Sequence, residues 1–201
     1  MTSTTDTDDW ECEQVTVEIV FETHSTTEDN ETGIATGWLP GRLSVVGREQ
    51  AGALGRRRRG RVDVVFTSDL RRAVETVEIA FAGTGTPVLH DWRLRECDYG
   101  DLNGAPRDVE LGDRSARLTT PYPRGESWGQ AVARASGLLR DLPVRWSGAT
   151  ILVVGHVATR WALDHHLAGV PLEILAREEF AWREGWEYRL DQDDDHPARD
   201  R

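Results

Sequence analysis

The sequence predicts an α/β fold, a single-domain three-layer α/β/α sandwich built on a mainly parallel central sheet. Three observations carry that expectation. Short apolar runs alternate with helical patterns along the chain, and such alternation implies right-handed crossovers between parallel strands. The runs "VDVVFTS" (62–68) and "ATILVVG" (149–155) read as strands buried in the middle of such a sheet. No internal repeat and no convincing linker divides the 201 residues, a length suited to one well-cored domain.

Each element has its own signal. "VTVEIVF" (15–21) reads as the first strand, followed by a polar loop to about Leu43. "SVVGREQAGALGRRRR" (44–59) reads as a helix with Ser44 as N-cap and Gly60 just past its end. "DLRRAVETVEIAFAG" (69–83) is a second helix, stopped by glycine, with Ser68 and Asp69 as capping residues. "PVLHD" (87–91) reads as a short edge strand, and "ESWGQAVARASGLLRDL" (126–142) as a third helix after the turn-rich "TTPYPRG". "HVATRWALDHHLAG" (156–169) is the helix after the 149–155 strand, and "GWEYRLD" (185–191) reads as a last strand. The domain is expected over residues 14–191. Polar, acidic tails at 1–13 and 192–201 are expected to carry little order.

Composition narrows the function classes. The formal net charge of -11 repels nucleic acid and anionic membrane surfaces, so neither is an expected partner. An anionic ligand must instead be drawn in by a local basic pocket. All 24 basic residues are arginine, which excludes a lysine nucleophile, Schiff base or P-loop lysine. Two cysteines, Cys12 and Cys97, indicate neither a disulfide framework nor a cysteine-built zinc site. No apolar stretch reaches the roughly 20 residues of a membrane span. The acidic "MTSTTDTDDWECEQ" start lacks the features of a signal peptide, so a cytoplasmic setting is expected.

In open α/β sheets, ligands bind outside the carboxyl ends of the strands. The polar residues at those positions are "ETHSTT", "TSDLRR" and "GHVATR", with "WRLRECDYGDLNG" (92–104) as a fourth polar stretch. His24 and His156 sit at strand ends. Arg71 and Arg72 sit in the first turn of a helix, where the macrodipole disfavours cations, so the pair suggests an anion to be met. Two histidines, an arginine and a glutamate around helix N-termini suit phosphoryl transfer. One imidazole attacks phosphorus, the cation and second imidazole hold oxygens, and a carboxylic acid protonates the leaving oxygen.

In this order the residues resemble the histidine phosphatase superfamily, the phosphoglycerate-mutase-like fold. Its strand-Arg-His-Gly opening is similar to Phe21-Glu22-Thr23-His24-Ser25. "TGWLPGRLSVVGREQA", "FTSDLRRAVETVEIA", "RLRECDYGDLNG", "PRGES" and "VVGHVATR" follow in the family's order, and the resemblance runs from about residue 15 to 190. It implies a phosphomonoesterase acting on a small phosphorylated substrate, with inorganic phosphate as a further ligand and no metal or organic cofactor. His24 is then the nucleophile and Glu96 the proton donor. Arg72 and His156 hold phosphoryl oxygens, Asn30 lies near the pocket, and the hydroxyls of Thr23 and Ser25 are candidate phosphate contacts.

The sequence departs from the family at the nucleophile. Thr23 stands where the family has arginine, and Ser25 where it has glycine. The change removes a bidentate phosphate contact, and a transition-state donor of that kind is worth about 10²–10³ in rate. Arg42, Arg71, Arg93 and Arg95 are the candidates to compensate. Two alternatives follow: a phosphate- or phospholigand-binding protein with weakened turnover, and a phosphoglycerate-type mutase. The chain is short between Gly104 and Gly125, where the resemblance implies longer insertions in mutases. The association state is left as monomer or homodimer.

Several features carry a plainer reading. "RRRRGR" (56–61) reads as a solvated helix end rather than a nucleic-acid patch. His165 and His166 are adjacent on a helix and so face apart, which disfavours a metal site. Cys97 is expected to pack. Trp38 and Trp128 are candidate substrate walls, with Trp161, Trp182 and Trp186 as core or interface.

Overall fold

A computed structural model describes residues 16–108 and 114–191. The expected tails therefore lie wholly outside the described residues. The fold is the three-layer α/β one. Five strands line up in the order β4-β3-β6-β1-β7: β1 (Thr16–Thr23), β3 (Val64–Thr67), β4 (Val88–His90), β6 (Thr150–Gly155) and β7 (Trp186–Asp191). The β4-β3-β6-β1 pairings are parallel, and β7 closes the far edge antiparallel to β1.

Alternation along the strands makes two cores. On one face Val17, Ile19, Phe21, Phe66 and Val153 pack under α4 (Trp128–Trp146) and α5 (Val157–Leu167). On the other, Val20, Val65, Leu152 and Val154 meet Leu54 of α2 (Val45–Arg58) and Val77, Ala80 and Phe81 of α3 (Arg71–Phe81). Side chains of period two thus fill both layers from one sheet.

Helix α2 has little amphipathic character, yet it docks closely. Its buried stripe is Gly47, Ala51 and Gly55, one small residue per turn, with Leu54 beside it. A Cβ at Gly55 would fall 2.3 Å from the carbonyl of Ala80, so glycine is what lets α2 and α3 touch through backbone. The predicted cap holds: Ser44 accepts from the Gly47 N–H.

Other boundaries moved for physical reasons. The loop expected to run to Leu43 contains α1 (Glu28–Thr32), closed by a Thr27–Asn30 capping box, and β2 (Ile34–Ala35), which pairs with β5 (Ala105–Pro106). These are five- and two-residue pieces, too short for periodicity to reveal. The N-cap of α3 is Leu70; Ser68 Oγ accepts from the Leu70 N–H, while Asp69 pairs with Arg95. The helix expected to stop before Pro143 runs on to Trp146, whose ring meets Phe66 edge-on at 5.9 Å. Core packing there outweighs the hydrogen bond proline removes. The "RRRR" segment is not simply solvated. Arg57 and Arg58 hold the buried carboxylate of Glu22 at 2.7 and 2.8 Å, and Arg59 donates to the carbonyl of Ala80. Among the described residues no helix is long and apolar enough to cross a membrane.

Candidate active site

The sheet register creates the site. Thr23 at the end of β1 lies opposite Gly155 at the end of β6, so the next residues, His24 and His156, emerge side by side. The His24 N–H donates to the Gly155 carbonyl at 3.0 Å, and the two imidazole centroids are 5.0 Å apart. Arg72, in the first turn of α3 after neighbouring β3, reaches between them. Its Nε donates to His24 Nε2 at 3.3 Å and its Nη2 to His156 Nδ1 at 3.3 Å. The guanidinium is aimed by the carbonyls of Gly37, at 2.8 Å, and Leu39, at 3.2 Å.

These contacts assign the tautomers. The Ser25 carbonyl only accepts, so His24 Nδ1, 2.8 Å from it, carries the proton and Nε2 keeps a lone pair. Arginine only donates, so His156 Nδ1 accepts and its Nε2 carries the N–H. That Nε2 is buried and has no partner among the described residues. An orphaned buried donor of this kind costs about 1–3 kcal/mol until an acceptor arrives. Both imidazoles are neutral. Burial, and then the Arg72 charge, push His24 down to about 3 against the pull of the Ser25 carbonyl. Burial, Arg72, His24 and Arg134 hold His156 well below its usual value of 6.5.

Glu96 enters from the segment after β4. Its Oε1 accepts from the N–H groups of Cys97 at 2.9 Å and Ala158 at 3.1 Å, and its Oε2 from Val157 at 3.3 Å. Its own carbonyl is held by Trp38 Nε1 at 2.6 Å and Arg134 at 3.0 Å. Oε2 is the less engaged of the two oxygens. Cys97, expected to pack, is fully buried.

These groups share one cleft of about 370 Å3. Of the sequence-predicted site residues, Thr23, His24, Asn30, Arg72, Glu96 and His156 line it. Two do not. Ser25 is buried, its N–H donating to Thr76 and its carbonyl taken by His24. Arg42 is exposed and outside the cleft. Asn30 lines the wall, but its Oδ1 is used to cap α1. No proposed substitute for the missing arginine reaches the cleft: Arg71 is exposed, Arg93 pairs with Asp91 and Asp141, and Arg95 with Asp69. Trp38 lies under Arg95, and Trp128 is fully buried 4.3 Å from Trp161, so neither walls a substrate. His165 bonds the Val170 carbonyl, and the described residues contain no metal-ligating cluster.

Sequence reasoning missed Arg107, Arg114, Phe180 and Trp182, all of which line the cleft. Arg114 is 8% exposed, its guanidinium over the rings of Trp128 and Trp161 at 5.4 and 5.8 Å. Its Nε lacks a hydrogen-bond partner, and no carboxylate among the described residues pairs with it. Arg72, Arg107 and Arg114 against Glu96 alone make the cleft cationic in a chain of net charge -11. That is the local basic pocket an anionic ligand requires.

Residues 19–198 match the sequence pattern of the histidine phosphatase superfamily (branch 1). The chain belongs to that superfamily. It is 33% identical over 193 residues to a 2,3-bisphosphoglycerate-dependent phosphoglycerate mutase of Methylobacterium sp. (strain 4-46), covering 87% of this chain and 92% of the relative. It is 32% identical over 161 residues to a putative phosphoserine phosphatase 2 of Hydrogenobacter thermophilus, covering 76% and 79%. Among solved structures, Bacillus stearothermophilus YhfR superposes with a TM-score of 0.75 at 28% identity, over 84% of this chain and 88% of that one. A mycobacterial glucosyl-3-phosphoglycerate phosphatase gives 0.66 at 26% identity, over 81% and 84%. The superfamily relatives are thus phosphatases and mutases built on this fold.

Proposed function

We propose that the protein is a phosphomonoesterase that hydrolyses a small phosphorylated metabolite through a phosphohistidine on His24. The observation that carries this reading is the complementary pair of neutral imidazoles across Arg72. One offers a lone pair at Nε2 and the other an unpartnered N–H. His24 Nε2 attacks phosphorus, and the bond from phosphorus to the ester oxygen breaks. The Glu96 proton passes to that oxygen and the alcohol leaves. Water then attacks the phosphohistidine, giving its proton back to Glu96, and inorganic phosphate departs with His24 restored. Arg72 and the His156 N–H stabilise the phosphoryl oxygens throughout. No step draws on a metal or organic cofactor.

Thr23 supports a second reading, a phosphate-binding protein of weak turnover. It lines the cleft beside the nucleophile and brings no charge there. Kinship with mutases in sequence keeps a phosphomutase as a third. Hydrolysis of a generic aryl phosphate by wild type and His24→Ala, with chelator present, separates them. The phosphatase reading expects metal-free turnover lost on substitution and an acid-labile phosphoprotein trapped on wild type only. Equal near-zero rates with retained phosphate binding point to the binding protein. Phosphoryl transfer to an acceptor in place of water points to the mutase.

A further inference from the structure

The segment 177–185 joins α6 (Leu172–Leu175) to β7 and carries Phe180 and Trp182 into the cleft wall. It has no regular structure, yet it is tied down at both ends. Glu178 faces Arg160 at 3.8 Å. At the other end Arg58 donates to the Glu184 carbonyl at 3.2 Å, and Arg57 faces the Glu184 carboxylate at 3.5 Å. Those two arginines are fixed by Glu22, a 2% exposed carboxylate two residues before His24. The loop is thereby referenced to the strand that carries the nucleophile. Within it, Phe180 packs on Trp186 with centroids 6.0 Å apart, and the Arg183 guanidinium lies 4.9 Å above that indole.

Trp182 is the residue these contacts leave over. It is 54% exposed and has no ring, hydrogen-bond or ion-pair partner among the described residues, yet it lines the cleft with Phe180 and Ile34. An indole held half in water at the mouth of a cationic cleft gives up burial that a ligand can supply. The phosphoryl end is polar and walled by His24, Arg72 and His156, so this apolar surface faces what is attached to the phosphate. The cleft volume of about 370 Å3 suits a phosphate with one small ring system.

We propose that segment 177–185 is the leaving-group wall, and that the substrate is a phosphate monoester whose alcohol half presents a flat apolar ring to Trp182 and Phe180. The proposal rests on the reading that the phosphoryl group sits at His24. A ring seated on an aromatic wall gains a few-fold to about tenfold in affinity beyond a matched small group.

Calorimetric titration with two non-hydrolysable probes, phenylphosphonate and methylphosphonate, tests it without requiring turnover. Wild type is expected to bind the phenyl compound about tenfold tighter. Trp182→Ala should bring that ratio to below about two with methylphosphonate affinity unchanged, and Trp182→Phe should keep most of it. Phe180→Leu should lower the ratio by a smaller factor. Equal affinities in wild type, or a ratio that survives Trp182→Ala, overturns the ring assignment alone. Absence of methylphosphonate binding, or binding indifferent to Arg72→Met, overturns the phosphoryl placement and the wall with it.

Discussion

The two ends of the cleft are built differently. At the phosphoryl end, His24 and His156 are placed by adjacent parallel strands, Arg72 by the first turn of a helix, and Glu96 by three backbone N–H groups. Almost every donor and acceptor there has a partner, and the orphan among the described residues is the His156 N–H, which a phosphoryl oxygen would complete on the proposed reading. At the other end, Arg114, Phe180 and Trp182 come from irregular segments, and Arg107 from helical backbone just after β5. Arg114 has no carboxylate among the described residues, and Trp182 is half exposed. The difference teaches where chemistry and selectivity reside. On the proposed function, rigid elements hold the reacting groups, and the other end supplies the surfaces that choose what is attached to them.

The comparison makes substitutions at the first end costly in kcat and those at the second costly in KM. The largest effect is expected for Arg72→Met. Losing the single buried cation between the imidazoles should lower kcat/KM for an aryl phosphate by about 10³-fold or more, with kcat falling at least as far as KM rises. A thermal melt of the variant separates this from unfolding. If only KM rises, the phosphoryl end does not hold charge in the transition state and the contrast fails.

Next in size is a gain. Thr23→Arg places a guanidinium at the β1 terminus beside His24, where the cleft now has a hydroxyl. A donor of this type is worth up to about 10² in rate, and the increase should appear mainly in kcat. An unchanged rate would mean that cations already in the cleft fill the role. Arg114→Gln tests that possibility from the other end. It is expected to raise KM about tenfold for substrates with a second negative charge and to change kcat less than about twofold. A comparable loss in kcat would move Arg114 into the phosphoryl end.

The same contrast explains what was legible in the sequence. The sheet and its four long helices could be read because apolar runs, the Ser44 cap and terminal glycines are local signals. His24, Arg72 and His156 could be picked out because they follow strand ends or open a helix, positions with a known relation to ligands in parallel sheets; Glu96, six residues past the end of β4, was singled out by the family resemblance. Arg42 and Ser25 were misplaced for the complementary reason. Neither a charge nor closeness to His24 says anything about facing: Arg42, offered as a compensating cation, turns to solvent, and Ser25 turns its backbone to Thr76 and His24. Arg114 and Trp182 were invisible because their roles depend on what lies across the cleft, and no periodicity marks a residue in an irregular loop. The misjudged Trp128 shows the converse. Its segment borders the site, but the ring stacks on Trp161 and becomes the floor under Arg114.

The remaining expected effect is on stability, and it sharpens the claim that the phosphoryl end is dry. His24 titrates near 6.5 in the unfolded chain and is pushed down to about 3 in the folded one, chiefly by burial. Between those values the unfolded state binds the extra proton, so acid favours unfolding and stability falls as pH drops below 6.5. The contribution of this one group approaches about 1.4 kcal/mol per pH unit in that window and vanishes above it. Carboxylates titrate in part of the same range, so the comparison to make is wild type against His24→Asn by chemical denaturation at a series of pH values. The variant should show the shallower decline, by about that slope, with the two curves parallel above pH 7. Phosphate at saturating concentration should stabilise wild type more than the variant, because the ligand binds only the folded cleft. Matching declines in both proteins would mean that water reaches His24 in the folded state. His24 would then lie at a wet end like Trp182, and rigidity could no longer be what separates the two halves of the cleft.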